Sequence, residues 1–195
     1  MKQTEGVSMY IKSGSSRLVF CLPAVGLVIK LPLIHPWRFV KVLKSDVWCI
    51  IHGRGFGFLK ARFWLDEEHD TIGNIRYTLL NGLYQNWQEF MLWRKTRSVF
   101  LEPTFFSLLG VCNIQKYGKE LDVSAVALWS QMLDYTEQAA WSNGHHFSNP
   151  ANFSYRDNQI RMVDYGGKGV RAVVEKYDTI ISKNFDPTKK PEWEK

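Results

Sequence analysis

Between Leu18 and Ile29 lie twelve consecutive residues without a charge, interrupted by Pro23 and Gly26 and closed by Lys30. The block is too short to cross a bilayer. Its proline and glycine divide it into two strand-like runs, Leu18–Leu22 and Leu27–Leu31, whose β-branched content and intervening turn residues predict a hairpin. Lys12 and Arg17 precede it in the manner of a signal peptide. No small-residue cleavage site follows; Pro32, His35, Pro36 and Trp37 stand there instead, so a secretory signal is not predicted.

The hairpin opens a chain of mixed character. Residues 37–65, rich in Trp, Phe and Val with glycines at 53, 55 and 57, read as strand rather than helix. From Thr78 to Thr96, apolar residues recur at three- and four-residue intervals (Leu79, Leu80, Leu83, Trp87, Phe90), which predicts a helix with one apolar face. Phe105–Leu109 and Val111–Gln115 read as short strands about Gly110. Ser124 is a candidate N-cap for a helix running to about Ser142, ended by Asn143-Gly144. A second hairpin is predicted around Arg156-Asp157-Asn158, and a last amphipathic helix from about Val170 to Lys183. The fold class is α+β, with a sheet-rich first half and a helical second half. At 195 residues, 45% hydrophobic and 23% charged, one globular domain is expected. The net charge of +6 admits anionic partners. Cys21, Cys49 and Cys112 form neither a disulfide framework nor a metal-ligand pattern, which points to a reducing, cytoplasmic setting.

Chemistry concentrates near the C-terminus. His145-His146-Phe147-Ser148-Asn149-Pro150-Ala151-Asn152 precedes a strand, and Val163-Asp164-Tyr165-Gly166 follows it. An Asn amide oxygen and an Asp carboxylate at the ends of adjacent strands suit a Mg²⁺ ion held against nucleotide phosphates. Taken singly, Asn152 and Asp164 read equally well as caps of a turn and of a strand exit. Together they resemble the protein-kinase pair H-R-D-x-x-x-x-N and D-F-G.

The first half carries matching pieces. Ser13-Gly14-Ser15-Ser16-Arg17 resembles a degenerate nucleotide-covering loop, and Val28-Ile29-Lys30 looks like the strand whose lysine pairs phosphates. Glu89 is the candidate partner of that lysine. The whole pattern is similar to small YrbL-type kinase-like proteins of bacteria and phages. The resemblance covers residues 13–30 and about 78–170, leaving an insert at 31–77.

The resemblance implies a minimal bilobal fold with a truncated helical half. Gly14, Arg17, Lys30 and Glu89 would serve a nucleotide such as ATP, and Asn152 and Asp164 would serve Mg²⁺. Lys30, Glu89, Asn152 and Asp164 are expected in one cleft. Counting from His145, the catalytic aspartate falls on Phe147, which neither accepts a proton nor orients a hydroxyl. No A-P-E motif occurs in the 29 residues after Gly166. A pseudokinase-like regulatory protein binding nucleotide, a protein partner or both is therefore expected, without conventional kinase activity. An atypical phosphotransferase or nucleotidyltransferase with a non-standard base is the alternative.

Two further features bear on partners. Arg54-Gly55-Phe56-Gly57-Phe58-Leu59-Lys60-Ala61 matches the RNA-recognition RNP1 pattern at six of eight positions, with Leu59 in place of Val and Ala61 in place of an aromatic, and with Val19–Leu22 as a candidate partner strand. RNA binding through this segment is a second alternative. Residues 37–65 also combine aromatic with basic side chains, including Trp37, Trp48, Phe56, Phe58, Lys41, Lys44 and Arg54. Such residues anchor interfaces, and an unidentified protein partner is expected there. No membrane span is expected.

Overall fold

Pro23 and Gly26 turn the chain as the sequence predicts. A single 3₁₀ turn at Pro23–Val25 ends on Gly26 at φ 67°, a left-handed conformation that glycine adopts without penalty. The computed structural model describes residues 9–54 and 75–188. Its first half is a five-stranded antiparallel sheet, ordered β1–β2–β3–β5–β4. The strands are β1 (Tyr10–Ser13), β2 (Arg17–Leu22), β3 (Leu27–Pro32), β4 (Thr104–Ser107) and β5 (Asn113–Lys116). The β2–β3 ladder runs from Arg17↔Pro32 to Leu22↔Leu27, so Leu31 and Pro32 belong to the sheet and not to an insert.

Between Pro36 and Cys49 the chain forms helix α1, where the sequence reads as strand. Aromatic and β-branched residues favour strands only weakly, and context overrides them. Pro36 occupies the first helical position, where its fixed φ suits a helix start. Val42 is buried and Phe39 half-buried, a three-residue spacing that seats one helix face. Gly53, at φ 98°, then breaks the helical path within the turn at Ile50–Arg54. The rest of the segment, residues 55–74, lies outside the described residues, and with it most of the RGFGF motif.

A helix does occupy the interval that an RNA-recognition fold requires. Both edges of β2 are nevertheless paired, to β1 and to β3, leaving Val19–Leu22 no free edge for a further strand.

Helix α2 (Ile75–Thr96) packs across the sheet. Its buried positions include Asn81, Asn86 and Glu89, whereas Leu80 and Met91 are exposed. The face turned to the sheet is thus largely polar, which an apolar-periodicity reading misses. Gly82 permits the contact: a Cβ there would lie 2.3 Å from the Ser16 carbonyl oxygen and 2.9 Å from Pro32 Cα. Gly166 meets the same helix from the other side, where a Cβ would fall 2.5 Å from the Gln85 carbonyl oxygen.

The second half comprises α3 (Ala125–Tyr135), the one-turn helix α4 (Gly144–Phe147), strands β6 (Lys119–Glu120), β7 (Phe153–Arg156) and β8 (Gln159–Met162), and α5 (Lys168–Asn184). Ser124 caps α3, its hydroxyl accepting from the Ala127 amide at 3.0 Å. That helix stops at Tyr135, short of the predicted Ser142. Thr136 donates its hydroxyl to the Met132 carbonyl, and Glu137 and Gln138 turn left-handed at φ 51° and 68°. Asp157 and Asn158 carry β7 into β8 with φ 53° and 59°.

The main core lies in this half, where Leu128, Met132, Phe147, Met162, Tyr165, Val174 and Ile181 are fully buried together. Leu92 of α2 joins it, coupling the helix under the sheet to the helical half. Among the described residues, no helix is long and apolar enough to cross a membrane.

Candidate functional site

Four charged side chains from four separate elements meet beneath the sheet. Arg17 opens β2, Lys30 lies in β3, Glu89 is on α2, and Asp164 follows β8. The Lys30 ammonium donates to Glu89 Oε2 at 2.8 Å and to the Val163 carbonyl. Arg17 places one guanidinium nitrogen on Glu89 Oε1 at 2.5 Å and the other on Asp164 Oδ1. Glu89 is 0% exposed, Lys30 4% and Arg17 6%, while the Asp164 side chain retains 30% of its surface.

Two cations and two carboxylates make the group neutral, which is what permits charges to be buried at all. Burial pushes the Lys30 ammonium below its ordinary value, against the pull of Glu89. Burial also opposes the charge on Arg17, but Asp164 and Glu89 more than offset it and hold the guanidinium above its usual range. For Asp164, burial alone would raise the pKa. The Arg17 guanidinium, aided by Lys30 and His146, prevails and brings it down to about 2.

The group forms one wall of a cavity of about 900 Å³, a size ordinary for a small-molecule site. Gly14, in the β1–β2 turn, lines the cavity, as do Asn152 and His145. Gly14 needs no special backbone, since a Cβ there would meet only the Arg17 carbonyl oxygen at 3.7 Å. Asn152 donates its side-chain amide nitrogen to the His146 carbonyl at 3.0 Å, and its backbone carbonyl accepts from the Val163 amide. Five lining residues are Lys or Arg: Lys12, Arg17, Lys30, Lys116 and Lys168. The lining carboxylates are Glu120 and Asp164, and Glu89 stands behind them. This excess suits an anionic ligand.

Compared with family models, curated proteins and solved structures, the chain matches none. The site is therefore read from its own geometry.

The structure brings Gly14, Arg17, Lys30, Glu89, Asn152 and Asp164 to one place. Phe147 is elsewhere: it is 0% exposed and packs in the core of the helical half. Its neighbour His146 lines the same cavity as Asp164. Burial, before any charge effect, lowers its pKa and favours the neutral ring. Its Nδ1 has no hydrogen-bond partner among the described residues, and its Nε2 would stand 3.3 Å from a Cβ at Gly167. A Phe at the tip of a one-turn helix is a core anchor, and that turn directs the preceding histidine to the cleft.

Sequence reading also misses Gln115, buried at the back of the cavity. Its amide nitrogen lies within 3.4 Å of oxygens from Glu102, Thr104, Val163 and Tyr165, while its Oε1 has no partner among the described residues. An alternating β5 pattern with polar residues on the buried face carries no recognisable signal.

The depressed Asp164 pKa has a direct consequence for stability. An unfolded Asp titrates near 3.9, so between that value and about 2 the unfolded chain binds the proton and the folded chain does not. The stabilisation is complete above about pH 4 and declines as pH falls toward 2. Urea unfolding measured across this window should show a shallower pH slope in Asp164→Asn than in the parent. Equal slopes would mean that the Arg17–Asp164 contact does not hold the carboxylate ionised.

Proposed function

We propose that this protein is a pseudokinase-like regulatory protein that binds a nucleotide, with ATP the ligand to test, in the cavity beside Lys30. The observation that carries this reading is the buried Lys30–Glu89 pair at 2.8 Å, adjoining Asp164 at the wall of a cationic cavity. Lys30 offers a positive charge to phosphate groups, and the Ser13–Arg17 turn lines the same cavity. The base that a conventional kinase needs has no counterpart in Phe147, which is turned into the core. Cys21, Cys49 and Cys112 are free thiols, in keeping with a cytoplasmic protein.

Mg²⁺ is the ion that the resemblance implies. Asn152 and Asp164 supply oxygen donors of the right kind, but the Asp164 carboxylate is engaged by Arg17 and the Asn152 amide nitrogen by His146. As they stand, these residues offer Mg²⁺ no carboxylate free of an ion pair, because Arg17 already holds Asp164 Oδ1.

His146 favours one second reading, a transferase with a non-standard base, because its buried imidazole is held neutral beside the cleft. ATP turnover that disappears in His146→Ala would select it.

Nucleotide binding is tested by thermal shift and calorimetric titration with ATP. The parent should be stabilised by millimolar ATP, and Lys30→Ala should weaken binding by about tenfold to a hundredfold, the range expected for one charge-assisted contact. No stabilisation of the parent, or equal affinity in both proteins, would remove the nucleotide reading of this cavity.

A protein partner is proposed on α1. Trp37 is 71% exposed and Trp48 61%, with Leu43, Val47 and Ile51 also exposed. Trp37, Leu43, Val47 and Trp48 fall on one side of α1, with exposed Lys44 among them and Lys41 beside them, and Ile51 follows in the turn after the helix. Such a stripe fits an apolar groove rimmed by carboxylates. Trp48→Ser combined with Ile51→Ser should leave the melting temperature within a few degrees and abolish capture of a partner that the parent retains. Capture unchanged by the double variant would eliminate α1 as the interface, and binding to anionic vesicles instead would assign the stripe to a lipid surface.

A further inference from the structure

Arg17 stands where a kinase-like site would keep its divalent ion: against the carboxylate after the last strand. We infer that Arg17 is the resident cation of this cleft, so that the site receives a phosphate-bearing anion without a divalent metal. The inference rests on the nucleotide reading above for the identity of the ligand. The metal part stands on geometry alone.

Three observations carry it. First, Arg17 is not a mobile surface residue. It begins β2, pairs with Pro32 across the ladder, and its carbonyl accepts from the Gly14 amide at 2.9 Å. Its guanidinium is 8% exposed and divides its two terminal nitrogens between Glu89 and Asp164. The planar fork of an arginine is suited to bridging two carboxylates in a way that a lysine is not.

Second, the charges already balance. Arg17 and Lys30 neutralise Glu89 and Asp164. A divalent ion added to this buried group would leave two uncompensated positive charges, a large desolvation penalty. Without Arg17 the group would carry one negative charge, which is the deficit a metal ion answers.

Third, the remaining lining adds Lys116 to the Lys12–Glu120 pair, a cationic balance. A free polyphosphate keeps its full negative charge and is the better complement to such a wall. Magnesium also surrenders its water reluctantly and demands near-octahedral oxygen geometry. A carboxylate already bound to a guanidinium meets neither need.

The test uses the full chain and two probes. In a water-proton relaxation titration with Mn²⁺ alone, the parent and Asp164→Asn should behave alike, because neither has an open site. Arg17→Met should gain one Mn²⁺ site that a second change, Asp164→Asn, removes. In calorimetry, the parent should bind ATP in EDTA at least as tightly as with Mg²⁺, whereas Arg17→Met should require Mg²⁺ for affinity, with a gain of about tenfold or more.

A parent Mn²⁺ site that Asp164→Asn abolishes would overturn the inference. So would parent ATP binding that vanishes in EDTA. Both results need no Arg17 variant, so a failure of Arg17→Met to fold leaves the inference exposed to refutation. Parent binding of ATP in neither buffer would refute the nucleotide reading instead, and the Mn²⁺ titration would still decide the role of Arg17.

Discussion

The carboxylate of Glu89, fully buried on α2, accepts from Lys30 on one oxygen and from Arg17 on the other. A carboxylate at 0% exposure is tolerable only when paired and hydrogen-bonded. Both of its partners come from the sheet, and one of them continues to Asp164 at the edge of the helical half. Three otherwise separate parts of the molecule are thereby fixed to a single charged group. Its neutrality is the condition on which the cleft exists.

The neighbouring packing makes that group geometrically inevitable. Gly82 lets α2 approach the backbone at Ser16 and Pro32, the positions flanking Arg17 and closing β3. Gly166 lets the loop after β8 approach α2 at Gln85, one turn before Glu89. Asn86 donates to the carbonyls of Lys30 and Gly110, and Asn113 donates to the Asn86 carbonyl. The contact between helix and sheet is therefore made of backbone proximity and amide hydrogen bonds as much as of apolar burial. The Asn86 and Asn113 amide nitrogens are thus spent on backbone carbonyls, while their Oδ1 atoms are buried without a partner among the described residues.

Much of this was legible where local chemistry is strong. The β2–β3 hairpin follows from Pro23 and Gly26, the α3 start from Ser124, and α5 from buried Val170, Val173, Val174, Tyr177 and Ile181. Lys30, Glu89 and Asp164 could be singled out because their order and spacing mimic a known pattern. What escaped was context-dependent. Helix α1 carries residues of high strand propensity and presents several of them outward. The buried face of α2 is polar, so its apolar periodicity points away from the sheet. Counting from His145 puts Phe147 at the catalytic position, but only the structure shows that its side chain belongs to the core and that its neighbour His146 lines the cleft. Arg17 was recognisable as a site residue, but its grip on two carboxylates depends on the three-dimensional meeting of β2, α2 and the Asp164 loop.

The central claim is that Arg17 and Asp164 are energetically joined within the buried charge group. A double-mutant cycle on urea unfolding, using Arg17→Met and Asp164→Asn singly and together at neutral pH and low salt, measures that union directly. A charge-assisted, largely buried contact predicts a coupling free energy of about 1.5–3 kcal/mol. Additivity within about 0.5 kcal/mol would contradict it, showing that the guanidinium and the Asp164 carboxylate do not share a bond in the folded protein.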